Sequence, residues 1–455
     1  MRSIYRQFRR NFGDENRAGI FNIVNRQVME SGSMLLVFAS LATTNAYAGS
    51  ATPRIKQLET NLTHSCVLFK TGEVSCWGEG QGLGNGSLDN SSSPLPVVGI
   101  NDPNSRLTGV KALATGGTIG FSCALMRNRE VSCWGVNNLG QLGNITTTEA
   151  TEAGQAVSTT PVMVRDISGS GYLNGVKQLV VGINHSCALL KDRRVACWGA
   201  NNLGQLGSDE ANEMSLIGSV SYSSVPLLVK DTSGSGVLEG VRELSNAGLH
   251  TCGLLRRGEV VCWGANFSDQ LGAPTENFFS STPVIAHPDD PALKRVKQVT
   301  THLSASCVLS VNGKVSCWGG NNFGTLGDGT TDSSLTPVAV KPIGGGEGRL
   351  RGVKRITGGA AACAELRHGK VACWGFNRNG NLADGTTDDS SVPVRPLGIG
   401  GIGKLNNVKE IKPSSHSCAL QKRNQVLCWG ANASGELGDG TNESSLFPVR
   451  VIDLH

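Results

Sequence analysis

Residues His185–Gly199 read HSCALLKDRRVACWG. Two cysteines stand ten positions apart, a Trp-Gly follows the second, and the polar tetrad Lys191–Arg194 separates two apolar runs. In a hairpin centred on residue 192, positions 187 and 197 lie directly opposite each other. Opposed residues of antiparallel strands have Cα atoms about 4.5–5.5 Å apart, a separation a disulfide can span. One copy decides little, but the chain holds seven. The pairs are Cys66–Cys76, Cys123–Cys133, Cys187–Cys197, Cys252–Cys262, Cys307–Cys317, Cys363–Cys373 and Cys418–Cys428, which uses all fourteen cysteines. Each second cysteine is followed by one of the seven tryptophans and then by glycine, as in Cys197-Trp198-Gly199. First cysteines recur every 55 to 65 residues. Self-similarity at such a period is the mark of a repeat architecture.

Every unit reads alike. A short strand opens it (Val176–Leu179), a second carries the first cysteine (Ser186–Leu190), and a third ends in Cys-Trp-Gly. A glycine-asparagine loop follows, GANNLGQLG (Gly199–Gly207), and then a Pro-Val strand such as Thr160–Val164. The sixth position after the first cysteine is Gly72, Gly258, Gly313, Gly369 or Asn424, which suits the left-handed residue closing a three-residue hairpin loop. Arg129 and Arg193 break this rule, so those two turns are expected to be built differently or to carry strain. The second and third strands are apolar on both faces. A sheet wet on one side would alternate, so each sheet is expected to pack between two neighbours. The fold class is therefore all-β: a seven-bladed β-propeller of four-stranded antiparallel blades, one disulfide-stapled hairpin per blade. The blades are expected at about 55–109, 110–175, 176–240, 241–295, 296–352, 353–407 and 408–455. The opening strand (Ile55–Leu58) and the last Pro-Val strand (Pro448–Asp453) are expected to pair and close the ring. Metal sites cluster cysteines as C-x2–4-C and redox sites as C-x-x-C. The ten-residue spacing suits structural disulfides better, and these persist in oxidising compartments.

The pattern H-S-C-A-L…V-x-C-W-G-x-N-x-x-G-x-L-G-D-G-T…P-V resembles the regulator of chromosome condensation repeat. Val408–Ile452 and Val296–Val340 match it most fully, and the resemblance covers about residues 52–455. It implies the seven-bladed propeller and is nearest to secreted, cysteine-paired bacterial members. Function is less constrained, because the superfamily includes a small-GTPase exchange factor, a plant ultraviolet-B photoreceptor and a secreted β-lactamase inhibitor. The photoreceptor's Gly-Trp-Arg-His-Thr motif is absent; the matching stretch is Gly182–Ser186, GINHS. One tryptophan per blade, always in the same slot, reads as packing.

Composition limits the rest. Charged residues make up 17% of 455 and glycine reaches 60 copies, a turn-rich globular profile that excludes a disordered chain. Six arginines and three acids fall in the first 48 residues, so that segment carries +3 of the formal +5 and the body +2. A nucleic-acid surface needs a concentrated basic field, and the body is read as having none, so no nucleic-acid partner is expected. The apolar run Met34–Ala42 behind the arginines, followed by Ala46-Tyr47-Ala48, reads as a signal peptide over 1–48 cleaved between Ala48 and Gly49. The propeller then spans 49–455, with no membrane contact after leader removal.

No Gly-x-Ser-x-Gly, phosphate loop or His-Glu-x-x-His motif appears. No catalytic residue, metal or cofactor is therefore assigned. His64, His185, His250 and His416 recur two before the first cysteine; equivalent blade positions are too far apart for one metal, so they read as repeat-specific hydrogen-bonding groups. Asp-Gly-Thr loops such as Asp328–Asp332 hold oxygens suited to calcium but lack an EF-hand's spacing, and the motif is also ordinary turn chemistry. Blades two and three carry longer loops, Thr146–Thr160 and Ser208–Ser224. These are either tolerated length drift or a partner-binding patch involving Glu149, Glu152, Glu210, Met214, Leu216, Ile217 and Tyr222. The expected function is a secreted or periplasmic, monomeric, non-enzymatic scaffold for a protein partner. The alternative is guanine-nucleotide exchange or other regulation of a small GTPase.

Overall fold

The computed structural model describes residues 53–454, apart from 101, 118–119, 145–148, 151–154, 211–212, 215–219 and 276–277. The leader and its Ala48–Gly49 junction, and also Glu152, Leu216 and Ile217, lie outside the described residues.

The opening stretch folds as a stapled hairpin. His185–Leu190 and Val195–Ala200 are buried throughout and pair with Cys187 opposite Cys197. Arg193 N–H returns to Leu190 O at 3.0 Å, closing a three-residue loop. Arg193 has φ 71° and Arg129 has φ 74°, the left-handed conformation that Gly72, Gly258, Gly313, Gly369 and Asn424 also adopt. The two arginine turns are thus built like the others. All seven cysteine pairs stand at disulfide distance, with Cα atoms 4.0–4.1 Å apart.

Seven such hairpins each gain an inner and an outer strand. Blade one consists of Ile55–Thr60, His64–Phe69, Val74–Gly78 and Ser91–Pro96, in sequence order across the sheet. The other blades repeat this order through blade seven, Val408–Lys412, His416–Gln421, Val426–Gly430 and Ser445–Arg450. The first strands face a central channel of about 430 Å³ lined by all seven blades. Third-to-fourth-strand loops lie at one end of the disc, the loop face. Second-to-third-strand hairpins lie at the other, the turn face.

Packing between blades is directional. The disulfide of one blade meets the tryptophan of the next: Cys123 and Cys133 pack with Trp198, Ala188 and Ala196, and Cys418 and Cys428 pack with Trp77. Each indole N–H also donates to a loop carbonyl of the preceding blade, as Trp198 Nε1 to Gln141 O (3.0 Å) and Trp77 Nε1 to Glu436 O (2.8 Å). All seven tryptophans are at most 1% exposed. A buried indole withdraws roughly 200 Å² from water, worth about 5 kcal/mol before ordering costs.

Ring closure differs from expectation. The terminal strands do not pair: Ile55–Thr60 bonds to His64–Phe69, and Ser445–Arg450 to Val426–Gly430. Because each blade is contiguous, one terminal strand is innermost and the other outermost, at opposite edges of their sheets. Side chains close the seam instead. Lys412 Nζ lies 2.8 Å from Glu59 Oε1 and 3.5 Å from Glu410 Oε1, and Glu410 accepts Leu58 N–H at 3.1 Å.

Candidate functional site

The repeat motifs serve the scaffold. His64 Nε2 lies 2.7 Å from Ser122 Oγ, His185 Nε2 3.0 Å from Thr251 Oγ1, His250 Nε2 2.9 Å from Ser306 Oγ, and His416 Nε2 2.7 Å from Ser65 Oγ. Each hydroxyl belongs to the next blade, so the histidines form a belt across the seams. Burial pushes all four imidazoles down to about 3 and keeps them neutral. The Asp-Gly-Thr loops use their oxygens internally: Asp328 Oδ1 accepts Thr330 N–H (3.0 Å) and Thr330 Oγ1–H (2.9 Å). Among the described residues no group of three or more His, Cys, Asp or Glu side chains is placed to hold a metal. Asn432 is fully buried, donating to Thr441 O and Glu443 O while accepting Leu437 N–H.

The channel is polar but committed. Its Glu59–Lys412–Glu410 cluster ties blade seven to blade one, and burial holds the Glu59 carboxyl above its usual range. Burial also pushes Glu243 up to about 7.

The loop face offers free surface. In blade three, Glu213–Met214 pairs with Ser221–Tyr222 as a fifth strand at the sheet's outer edge. In blade two, Glu149–Ala150 does the same against Ala156–Val157. Backbone alone is described for Glu149 and Met214. Glu213 Oε1 accepts both Ser224 N–H and Ser224 Oγ–H at 2.7 Å, pinning the insert's return. Glu210 is exposed and stands 3.4 Å from Lys230 Nζ, beside Asp209 at 2.9 Å. Tyr222 is half-buried opposite Ala200. The inserts therefore extend the rim of two blades, with Glu210 and Tyr222 at their roots.

Blade four adds what the sequence reading missed. Phe278 is 71% and Phe267 57% exposed, with ring centroids 6.2 Å apart. Phe279 beside them is also exposed. Blades two, three and four abut along this rim. Gly140 of blade two packs against Ser223 and Ser224 of blade three, and Gly204 of blade three against Ser280 and Ser281 of blade four, too closely for any side chain. The findable signal was an aromatic at a loop tip where other repeats place Asn202 or Asn322.

Two models described as "Regulator of chromosome condensation (RCC1) repeat" match residues 176–205 with 248–270, and 312–364. The chain is similar to the ultraviolet-B receptor UVR8 of Arabidopsis thaliana, 29% identical over 276 residues, 60% of this chain and 57% of that protein. It is similar to human HERC2, an E3 ubiquitin-protein ligase, 30% identical over 207 residues, 44% of this chain and 4% of that protein. The match thus spans little more than half of the first relative and a small part of the second. Among solved structures, human WBSCR16 superposes with a TM-score of 0.63 at 21% identity, covering 80% of this chain and 85% of that one. Prp20p of Saccharomyces cerevisiae superposes at 0.61 and 19% identity, covering 88% of each. The chain is a seven-bladed propeller that carries regulator of chromosome condensation repeats at residues 176–205, 248–270 and 312–364.

Proposed function

We propose that the protein is a rigid, non-enzymatic scaffold of an oxidising compartment that holds a protein partner on its loop face. The exposed Phe267–Phe278 pair, on the rim along which blades two, three and four abut, carries this reading. Exposed aromatics on a rigid support are the usual anchors of an interface. In this reading the Thr146–Thr160 and Ser208–Ser224 inserts contribute further contacts, through Glu149, Glu152, Glu210, Met214, Leu216, Ile217 and Tyr222. The seven disulfides hold the blades, so little order is lost on binding. They also support export, with residues 1–48 removed at Ala48–Gly49 and the disc acting as a monomer. The fold's relatives are consistent with a binding role: the yeast neighbour Prp20p was characterised for its binding to Gsp1p and histones.

The test is a comparative pull-down from the native extracellular or periplasmic fraction, using wild-type protein and F267S/F278S. A partner retained by wild type and lost by the variant, at unchanged melting temperature, is the expected result. A partner retained equally by both would overturn the site. Accelerated nucleotide release from a small GTPase would replace the scaffold reading with the exchange-factor one.

A further inference from the structure

The turn face gathers positive charge. The second residue of the first strand is cationic in every blade: Lys56, Lys111, Lys177, Arg242, Lys297, Lys354 and Lys409. Six are exposed and Lys111 is half-buried. They ring one mouth of the channel, and several reach sideways to the next blade. Lys56 Nζ donates to Lys111 O at 2.6 Å, Lys297 Nζ to Lys354 O at 3.0 Å, and Lys409 Nζ to Lys56 O at 3.2 Å.

The hairpin turns lie at the same end. Lys70 N–H bonds to Arg54 O, Lys191 N–H to Gly175 O, and Lys422 N–H to Asn407 O, each joining a turn to the start of its own inner strand. The seven turns add thirteen Lys and Arg against the four acids Glu73, Glu130, Asp192 and Glu259. Burial first, and then the neighbouring Arg127 and Lys111, hold the Lys56 ammonium below its usual range. The third-to-fourth-strand loops hold seventeen acids and one cation, Arg378, and two of those acids, Asp209 and Glu210, pair with Lys230 of the fourth-to-first-strand connection. The near-neutral total conceals a cationic end of the disc.

The turn side also exposes apolar groups. Ile402 is 83% exposed, Val311 52% and Tyr172 51%, in the fourth-to-first-strand connections and the blade-five turn. We propose that this face docks on an anionic lipid surface, its cations on headgroup phosphates and its apolar side chains in the interfacial layer. A closed ring on a broad face matches a plane of phosphates. A nucleic-acid strand follows a groove or stripe and has no use for Ile402 or Val311. A bilayer interface takes both cations and apolar side chains. This departs from the expectations of no concentrated basic field and of no membrane contact after leader removal. It is independent of the partner proposed for the opposite face.

The experiment is co-sedimentation of the oxidised protein with phosphatidylcholine vesicles, with and without phosphatidylglycerol. Binding only to the anionic vesicles, weakened by salt, is expected. K177E/K354E/R257E should lower the affinity by roughly fivefold per site, about 1 kcal/mol each. Ile402→Ser should weaken binding while leaving its salt dependence unchanged. F267S/F278S should bind vesicles like wild type. Equal binding to neutral vesicles, or a triple variant that binds like wild type with its fold intact, would overturn the proposal. Retention on DNA or heparin with no vesicle binding would also overturn it, in favour of a polyanion chain.

Discussion

Arg129 and Arg193 occupy a backbone conformation that suits glycine. A left-handed residue with a Cβ costs about 1–2 kcal/mol, and glycine's extra chain entropy returns roughly half of that. Arg129→Gly and Arg193→Gly are therefore expected to stabilise the disc by about 0.5–1 kcal/mol each, seen as a higher guanidinium midpoint with disulfides intact. An unchanged or lower midpoint would mean that the arginines gain elsewhere what their backbone loses. The position was legible because spacing alone names the sixth residue after each cysteine. The Trp-Gly glycines were legible as a pattern but not as a necessity. Gly78 has φ 111°, and a Cβ there would sit 2.5 Å from Thr63 O, a contact made only once the hairpin is folded.

Strands and hairpins follow from local sequence; the bonds between blades do not. In the third position of the inner strand, Gln57 donates to Leu113 O (2.8 Å) and accepts Leu113 N–H (3.0 Å). Gln178 does the same with Leu244, and Gln298 with Ile356. Glu410 accepts Leu58 N–H, linking blade seven to blade one. The slot holds Gln, Glu, Arg or Ala, and its partner lies a whole repeat away, so no motif announces it. Ala112 fills it in blade two and is too short to bridge to Leu179 of blade three. Ala112→Gln is expected to add that fork and stabilise the two-three seam by about 1 kcal/mol, two modest hydrogen bonds less the ordering of one side chain. Slower amide exchange at Leu179 with a raised midpoint would bear this out. Faster exchange there would mean that the channel cannot hold another bridging side chain.

At the scale of the ring, sequence gave the number of blades through its cysteines, while closure and the cationic end needed the folded molecule. The ends of the chain look able to pair until each blade proves contiguous. The cationic end of the disc is diluted in any sum over the chain. The histidine belt is also a property of the ring, because His64, His185, His250 and His416 each reach a hydroxyl across a seam. His64, His185, His250 and His416 are held at about 3 and His302 at about 4 by burial, against an ordinary 6.5. The unfolded chain therefore takes up protons below about pH 6.5 that the folded disc refuses. Their stabilising effect is complete above that pH and is lost as pH falls toward 3, at about 1.4 kcal/mol per pH unit for each histidine. Glu243, held at about 7, works the other way, since the folded state keeps its proton up to that pH. The cleanest test is therefore a difference between two proteins. His416→Asn at the seam between blades seven and one should cost roughly 1 kcal/mol at neutral pH through the lost bond to Ser65. Its stability should then fall with acid about one proton less steeply than wild type, so that the two curves converge and cross between about pH 6 and 4. Parallel curves would show that His416 already takes up its proton in the folded ring, and that the seam is open to water.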